Sequence, residues 1–219
     1  MKTHGDKTTF GRLTLQRYLE STKYVKSATA EAEMRKFRAL VEVFRKYGRQ
    51  YGMDWMLMAA QGYQESRLDQ SARSRAGAVG VMQVRPDTGQ QLRVGDVTKL
   101  DPNIHAGVKY VRFMIDQYFK DEPMTDLDKG LFAFASYNAG PGRVRQLRAD
   151  AAKRGLDPNV WFDNVERVAA DKIGRETVTY VSNIYKYYVA YTLVQGEYLE
   201  RLETKKSLTP SRPSPILPE

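Results

Sequence analysis

The sequence contains no cysteine, and its only histidines are His4 and His105. Disulfides and thiolate metal sites are therefore excluded, and neither a histidine-rich metal site nor a Ser-His-Asp triad is expected. The phosphate-binding loop pattern and the dinucleotide-binding glycine pattern do not occur either. These absences predict a protein that uses no metal and no cofactor.

Long hydrophobic runs are also missing. The longest, from Trp55 to Ala60, is far shorter than the roughly 20 residues that a membrane-spanning helix needs. No apolar segment follows residues 1–6, so the sequence predicts no signal peptide. We expect either that the chain works where it is made or that a leader, and more, has been removed.

Positive charge is concentrated near the amino terminus. The formal net charge is +9, and residues 1–50 hold 12 Lys and Arg against five Asp and Glu. Residues 51–219 are nearly neutral, with 23 against 21. A basic arm on a neutral body indicates an anionic partner, such as nucleic acid, a lipid surface or the acidic cell wall. The alternative is a solvated helix face that only aids solubility.

The hydrophobic pattern predicts one mostly α-helical domain with two extensions. A chain of 219 residues with 42% hydrophobic residues can bury a full core. Residues 1–30 are polar and basic with weak periodicity, and we interpret them as an extension. Residues 31–200 form the predicted domain. Residues 201–219 are rich in proline and are predicted to be a disordered tail.

The strongest local signals concern the first half of the domain. Apolar residues recur at helical spacing over residues 31–51, and Gly52 ends that helix. Asp54 is a good N-cap for a second helix that closes near Glu65. Glycines punctuate residues 76–84, which predicts a short β-hairpin or an extended turn. Further helices are predicted from Asp101-Pro102 and over residues 131–138, 143–154, 161–171 and 176–198.

Glu65 is the candidate catalytic residue. It follows an apolar stretch and lies on nearly the same helical face as Met58. The negative end of the helix dipole and the apolar neighbours both disfavour the ionised carboxyl and raise its pKa. A glutamic acid in such a place can donate a proton near neutral pH. The plain alternative is a solvated glutamate at a frayed helix end.

Four segments occur together in a recognisable order. They are residues 65–66 (Glu-Ser), 77–83 (Gly-Ala-Val-Gly-Val-Met-Gln), 135–140 (Ala-Ser-Tyr-Asn-Ala-Gly) and 176–181 (Glu-Thr-Val-Thr-Tyr-Val). In this order and spacing the chain resembles the soluble lytic transglycosylase family of peptidoglycan-cleaving enzymes, over roughly residues 40 to 195. Residues 44–67 look most like the membrane-bound lytic murein transglycosylase F branch. The resemblance implies a mostly α, lysozyme-like α+β fold with a small β-hairpin or extended segment near the active site.

The resemblance also implies a set of site residues. Glu65 is the implied catalytic acid, and the implied substrate-binding residues are Ser74, Met82, Gln83, Tyr137, Asn138, Glu176 and Tyr180. The amide of Gln83 suits an N-acetyl sugar, Met82 would form a pliable apolar wall, and Tyr137 would orient the substrate or the acid. Each also has an ordinary structural role open to it, as a turn, core or helix-end residue. Arg85 departs from the family, which usually has an apolar residue before the proline.

The family's chemistry needs one carboxyl group, in contrast to the two of ordinary glycosidases. Glu65 would protonate the oxygen between N-acetylmuramic acid and N-acetylglucosamine, and would then accept the C6 hydroxyl proton as a 1,6-anhydro ring closes. Asp69 is the nearest candidate for a second carboxylate. The alternatives are a lysozyme-type hydrolase of the same bond and a non-catalytic wall-binding or scaffolding module. A nucleic-acid binder is less favoured, because no nucleic-acid motif accompanies the charge.

The expected partners and location follow from this function. Peptidoglycan glycan strands are the implied substrate, and an anionic surface is the predicted partner of the basic arm. No specific nucleic acid is expected, and the protein is predicted to be a monomer. The substrate implies a periplasmic or cell-envelope location, with a phage particle or lysis cassette as the alternative.

Overall fold

The computed structural model describes residues 28–208. Residues 1–27 of the predicted basic arm and residues 209–219 of the predicted tail lie outside the described residues. Within residues 28–208 the helices are α1 (Glu31–Tyr51), α2 (Trp55–Ser66), α3 (Pro86–Leu92), α4 (Leu100–Tyr118), α5 (Asp126–Ala139), α6 (Pro141–Lys153), α7 (Glu166–Ile173) and α8 (Arg175–Leu208). An irregular turn, Trp161–Val165, precedes α7.

The mostly helical fold class is confirmed, and α2 is the central helix. Its residues Leu57 to Tyr63 are all buried, so this segment has no solvent-facing side, and it packs against α1 and α8. Gly62 allows the close approach of the following loop, since a Cβ there would lie 3.1 Å from Val81 and 3.2 Å from Met82. Each fully buried large side chain contributes about 1.5–3 kcal/mol.

Helices α1 and α2 begin and end where the sequence predicts. Gly52 follows α1 in the left-handed region at φ 60° and donates its N–H to the last turn. Asp54 caps α2 by accepting a hydrogen bond from the N–H of Met56 at 2.9 Å. In the core, Phe37 of α1 stacks on Tyr191 of α8 with 4.1 Å between ring centroids.

The predicted β-hairpin over residues 76–84 does not form. Within residues 28–208 there is no strand, only two isolated antiparallel bridges, Arg73–Val79 and Val79–Val84. The reason is the backbone: Gly77, Gly80 and Gln83 have φ values of 82°, 75° and 46°. A left-handed residue at every third position interrupts an extended strand before a ladder can form. The segment is therefore the extended turn that the sequence allowed as the alternative.

Several other predicted helix boundaries differ from the structure: α5 begins at Asp126 and α7 at Glu166, where the sequence predicts residues 131 and 161. Helix α4 begins at Leu100 with Lys99 at the N-cap position, so Asp101 is not its cap. The Asp101 carboxylate instead accepts hydrogen bonds from Lys46 at 3.0 Å and Tyr47 at 2.5 Å. Helix α8 continues to Leu208, beyond the end predicted for that helix at residue 198. No helix in the described range combines the length and the apolar character that crossing a bilayer requires.

Candidate active site

Glu65 lies in the last turn of α2 and is half-buried. Tyr180 of α8 donates its phenolic hydrogen to Oε1 of Glu65. Burial raises the pKa of Glu65 from 4.5 to about 7, although the hydrogen bond from Tyr180 acts in the opposite direction. Near neutral pH a large fraction of the carboxyl groups therefore carries a proton.

Tyr180 is a permanent hydrogen-bond donor in this arrangement. Only 8% of the residue is exposed, and burial together with the nearby Glu65 raises its pKa well above 10. Gln61, one turn before Glu65 on α2, is fully buried and donates its Nε2 hydrogen to the Tyr180 oxygen at 3.4 Å. Because that oxygen accepts from Gln61, its own hydrogen is directed to Glu65. The Gln61 Oε1 atom has no partner in the part of the chain that the structure describes.

Tyr137, near the end of α5, joins the same cluster. Its hydroxyl donates to the backbone carbonyl of Met82 at 2.8 Å. Burial raises the pKa of Tyr137 well above 10, and the nearby charge of Glu65 adds to this effect. The edge of the Tyr110 ring packs against Tyr137, with 5.4 Å between centroids. The structure thus brings Glu65, Tyr137 and Tyr180 together.

Buried side chains, and not a strand ladder, hold the loop of residues 70–84. Asn103 of α4 is fully buried, accepts from the Met82 N–H at 2.8 Å and donates to the Val79 carbonyl at 2.8 Å. The hydroxyl of Ser66 donates to the Val81 carbonyl at 2.9 Å. A Cβ at Gly80 would lie 2.5 Å from the Asn103 amide, so only glycine fits there. These contacts fix the loop against α2 and α4.

Met82 does not form the apolar wall that the sequence predicts. Its side chain is fully buried, and a Cβ on Gly107 would lie 2.6 Å from it, so it fills space against α4. The backbone explains this inward orientation: Gly80 has a left-handed conformation, and the Asn103 side chain accepts a hydrogen bond from the Met82 N–H. The contribution of Met82 to the site is the carbonyl oxygen that positions Tyr137.

Gln83 and Ser74 have turn contacts within the loop. The Gln83 amide nitrogen donates to the Gly80 carbonyl at 2.9 Å, and the residue is half-buried. Ser74 is exposed, and its hydroxyl oxygen accepts from the Ala78 N–H at 3.0 Å. The hydrogen of that hydroxyl remains available as a donor. The structure does not connect either residue to Glu65 by a direct hydrogen bond.

A cavity of about 420 Å³ opens beside Tyr180. Its lining consists of Gln64, Asn138, Arg175, Glu176, Thr179 and Tyr180. Three of these, Asn138, Glu176 and Tyr180, are among the predicted site residues. Asn138 is held by the Thr177 hydroxyl, which donates to its Oδ1 at 2.7 Å. The cavity reaches Glu65 only through Tyr180, which lines it and donates to the Glu65 carboxyl.

Asp69 and Arg85 are both engaged in local contacts. The exposed Asp69 carboxylate accepts from the N–H and hydroxyl of Ser71 at 2.8 and 2.7 Å, and these bonds lower its pKa. Arg85 forms two hydrogen bonds to Asp87, each of 3.1 Å. Among residues 28–208, no group of three or more His, Cys, Asp or Glu side chains is arranged to hold a metal ion.

The sequence did not reveal the roles of Gln61 and Asn103. Gln61 donates to Tyr180, and Asn103 bonds to the backbone of the loop of residues 70–84. Each is a polar residue inside a helix, and both are fully buried. Gln61 directly follows the apolar run from Trp55 to Ala60. Because a polar side chain in a buried helix needs a hydrogen-bond partner, this position could have indicated a buried hydrogen bond. Asn103 stands among ordinary polar helix positions and gives no such signal.

Comparison with known proteins agrees with this geometry. The family described as "Transglycosylase SLT domain" matches residues 42–159. Membrane-bound lytic murein transglycosylase F from Pseudomonas fluorescens (strain Pf0-1) is 36% identical, over 72% of this chain and 35% of the relative. The protein of that name from Desulfosudis oleivorans is also 36% identical, over 70% of this chain and 36% of the relative. The chain therefore spans about a third of the length of these curated relatives.

Solved structures show the same fold. The 70-kDa soluble lytic transglycosylase from Escherichia coli superposes with a TM-score of 0.56 at 25% identity, over 71% of this chain and 24% of that one. The 70-kDa soluble lytic transglycosylase in complex with bulgecin A gives a TM-score of 0.60 at 25% identity, over 83% and 30%. An inactive glutamate-to-glutamine mutant of the lytic transglycosylase Slt from Pseudomonas aeruginosa gives 0.56 at 25% identity, over 84% and 30%.

Proposed function

This chain belongs to the transglycosylase SLT domain family, and we propose that it is a peptidoglycan lytic transglycosylase. It cleaves the β-1,4 bond between N-acetylmuramic acid and N-acetylglucosamine without water and leaves a 1,6-anhydromuramic end. The observation that carries the proposal is Glu65, a half-buried carboxyl group whose pKa burial raises to about 7 and whose hydrogen-bond donor, Tyr180, lines an open cavity. Such a group can serve first as an acid and then as a base at neutral pH.

In the first step, protonated Glu65 donates its proton to the glycosidic oxygen and the bond from that oxygen to the anomeric carbon breaks. The substrate's own N-acetyl oxygen stabilises the positive charge that develops on this carbon. Because Tyr180 donates to Oε1 of Glu65, the transferable proton belongs on Oε2. The leaving sugar departs as a neutral alcohol.

In the second step, the Glu65 carboxylate accepts the proton of the C6 hydroxyl. The C6 oxygen then bonds to the anomeric carbon and closes the 1,6-anhydro ring, so Glu65 ends the cycle protonated. Between the two steps the hydrogen bond from Tyr180 stabilises the carboxylate. The substrate-binding roles proposed for Ser74, Gln83, Asn138 and Glu176 rest on the family resemblance, and for Asn138 and Glu176 also on the cavity.

The similar proteins support this proposal. The curated relatives are named as lytic murein transglycosylases, and a structural neighbour is inactive as a glutamate-to-glutamine mutant. The substrate gives a periplasmic or cell-envelope location, with a phage-associated one as the alternative. We further propose a monomer whose basic amino-terminal arm contacts an anionic surface.

A digest of purified sacculi tests the proposal. We would compare the wild type with Glu65→Gln and with Glu42→Gln, which makes the same chemical change at an exposed position of α1. Mass spectrometry should show products one water lighter than those of lysozyme, present with Glu42→Gln and lost with Glu65→Gln. Reducing-end products would instead establish a hydrolase. Intact sacculi that still bind the protein would indicate a wall-binding module.

A further inference from the structure

The first turns of α4 are fastened to the end of α1 by polar and aromatic contacts. Asp101 of α4 accepts hydrogen bonds from Lys46 and Tyr47 of α1. One turn further along α4, the half-buried His105 ring stacks on Tyr47, with 4.3 Å between centroids and 9° between ring planes. The hydroxyl of Tyr51 lies 2.6 Å from Nε2 of His105. We call these residues the α1–α4 joint.

The hydrogen bond between Tyr51 and His105 requires a neutral imidazole. The Tyr51 oxygen accepts a hydrogen from the Gln50 amide at 3.3 Å, so its own hydrogen is directed to Nε2 of His105. A neutral ring with its hydrogen on Nδ1 can accept there, whereas an imidazolium carries hydrogens on both nitrogens. Protonation of His105 therefore breaks this bond, and the stacked Tyr47 ring keeps the imidazole from turning away.

The surroundings of His105 also favour its neutral form. Burial lowers the pKa of His105 below its ordinary value of 6.5, and the positive charges of Lys109 and Lys46 lower it further. The Asp101 carboxylate acts in the opposite direction, but it is shared, because it also binds Lys46 and Tyr47. The ring is therefore neutral at pH 7 and takes up a proton in acid solution.

The α1–α4 joint lies next to the residue that holds the loop of residues 70–84. Asn103 precedes His105 on α4 by two residues, and its side chain accepts from the Met82 N–H at 2.8 Å. The Met82 carbonyl accepts in turn from the Tyr137 hydroxyl at 2.8 Å. Tyr137 belongs to the cluster around Glu65. A shift of the amino end of α4 relative to α1 therefore displaces the group that positions Tyr137.

We propose that His105 is a positioning residue that switches the active site off in acid solution. This inference rests on the proposed function, because it concerns the regulation of the same site. Protonation of the ring loosens the α1–α4 joint, so that Asn103 no longer holds the loop in its active position and the Tyr137 hydroxyl leaves its place. The enzyme then works only where Glu65 is protonated and His105 is neutral.

The one-carboxyl mechanism makes this regulation visible in a pH profile. The reaction starts from protonated Glu65, whose pKa is about 7, so kcat/KM should decline above that pH and stay level below it. His105 is the only histidine in residues 28–208, and histidine is the side chain that ordinarily changes its charge between pH 5 and 8. A fall of kcat/KM on the acid side therefore points to His105.

The first test measures kcat/KM for glycan strands from pH 5 to 8 with the wild type and His105→Gln. Glutamine stays neutral, and its amide oxygen can accept the Tyr51 hydrogen. We expect the wild-type value to fall by about three- to tenfold between pH 6 and pH 5, and the value for His105→Gln to stay level. A wild-type profile without this fall, or a fall that persists in His105→Gln, would overturn the proposal.

A matched pair of variants tests the charge itself. His105→Lys places a permanent positive charge in the α1–α4 joint, so its kcat/KM at pH 7 should already be about three- to tenfold below that of the wild type. Gln117→Lys adds the same charge at an exposed position of α4 and should follow the wild type at every pH. Equal activity of both lysine variants at pH 7 would contradict the proposed switch.

Amide hydrogen exchange separates this inference from the proposed function, because it needs no activity. The Met82 N–H bonds to Asn103, and its protection is measured against the rate expected of an unstructured chain at the same pH. Protection should fall between pH 7 and pH 5 in the wild type but not in His105→Gln. Equal protection at both pH values would refute the switch even in an active enzyme. The expected loss of protection without cleavage at any pH would refute the proposed function alone.

Discussion

Helix α2 carries a tyrosine–carboxylate pair at each end, and the two pairs behave differently. At its amino end, Asp54 accepts a hydrogen bond from Tyr188 at 2.8 Å. Near its carboxyl end, Glu65 accepts one from Tyr180. Both tyrosines are on α8, about two turns apart. The chemical pair is the same, so the difference must come from its surroundings.

The surroundings differ in solvent and in the helix backbone. Asp54 is exposed and also accepts from the free N–H groups of Met56 and Leu57, at 2.9 and 3.5 Å. Glu65 is half-buried at the end of the helix that presents carbonyl groups, and burial raises its pKa to about 7. Position on a helix and exposure to water therefore determine whether such a pair caps a helix or holds a proton.

The largest contrast should appear when each carboxylate is removed. Glu65→Gln keeps the shape but cannot transfer a proton, so we expect kcat to fall by about 10²–10⁴-fold. Asp54→Ala should lower the free energy of unfolding by about 1 kcal/mol through loss of the cap, while kcat changes little. Steady-state turnover of sacculi and urea unfolding measure the two effects. Equal losses of kcat would show that the two pairs are not distinct.

The pH dependence of stability sharpens the contrast. The pKa of Glu65 is about 7 in the folded protein and about 4.5 when exposed, so the folded state binds more protons between these values and its stability falls as pH rises. Relative to Glu65→Gln, the wild type should lose about 3 kcal/mol between pH 4.5 and 7. Urea unfolding of both proteins across this range measures the loss. A difference in unfolding free energy between the two proteins that does not vary with pH would contradict the raised pKa of Glu65.

Removing each tyrosine hydroxyl is a smaller change. Tyr180→Phe deletes the hydrogen bond that lowers the pKa of Glu65, so the pH at which kcat/KM declines should rise by about one unit. Tyr188→Phe, at the other end of α2, should leave this pH unchanged. The measurement is kcat/KM for glycan strands from pH 5 to 9. A downward shift in Tyr180→Phe would contradict the assigned donor.

The smallest effect is expected from Gln61→Leu. Gln61 acts on Glu65 only through Tyr180, so the same decline in kcat/KM should move up by less than about half a unit. The variant should not lose unfolding free energy, because leucine replaces a buried amide whose oxygen lacks a partner in the described residues. In the Tyr180→Phe background, Gln61→Leu should cause no further shift. An additive shift would mean that Gln61 acts by another route.

The part of the fold that follows from local signals could be predicted from the sequence. The ends of α1, the cap by Asp54 and the position of Glu65 each depend on a few neighbouring residues. The helix predicted at Asp101-Pro102 was placed slightly wrongly, because Lys46 and Tyr47 of α1 engage the Asp101 carboxylate. No local pattern reveals such a long-range partner.

The organisation of the site depended more on tertiary contacts. The cluster of Glu65, Tyr137 and Tyr180 came from the family resemblance, and helix periodicity alone favoured the core for the tyrosines. The prediction that Met82 forms an apolar wall of the site was wrong, because the Met82 side chain packs inward against Gly107. The cavity between α7 and α8 could not be predicted either, because the two helices must pack together before Arg167 and Asn183 line one surface.

Asn103 couples the loop of residues 70–84 to α4 through a single side chain. Its amide bonds to backbone groups at Met82 and Val79 in the loop and at Val97 just before α4. The loop also forms turns of its own, such as the paired bonds between Val79 and Val84, but the Met82 N–H bonds to Asn103. One amide on α4 therefore contributes to the placement of the Met82 carbonyl and, through it, of the Tyr137 hydroxyl beside Glu65.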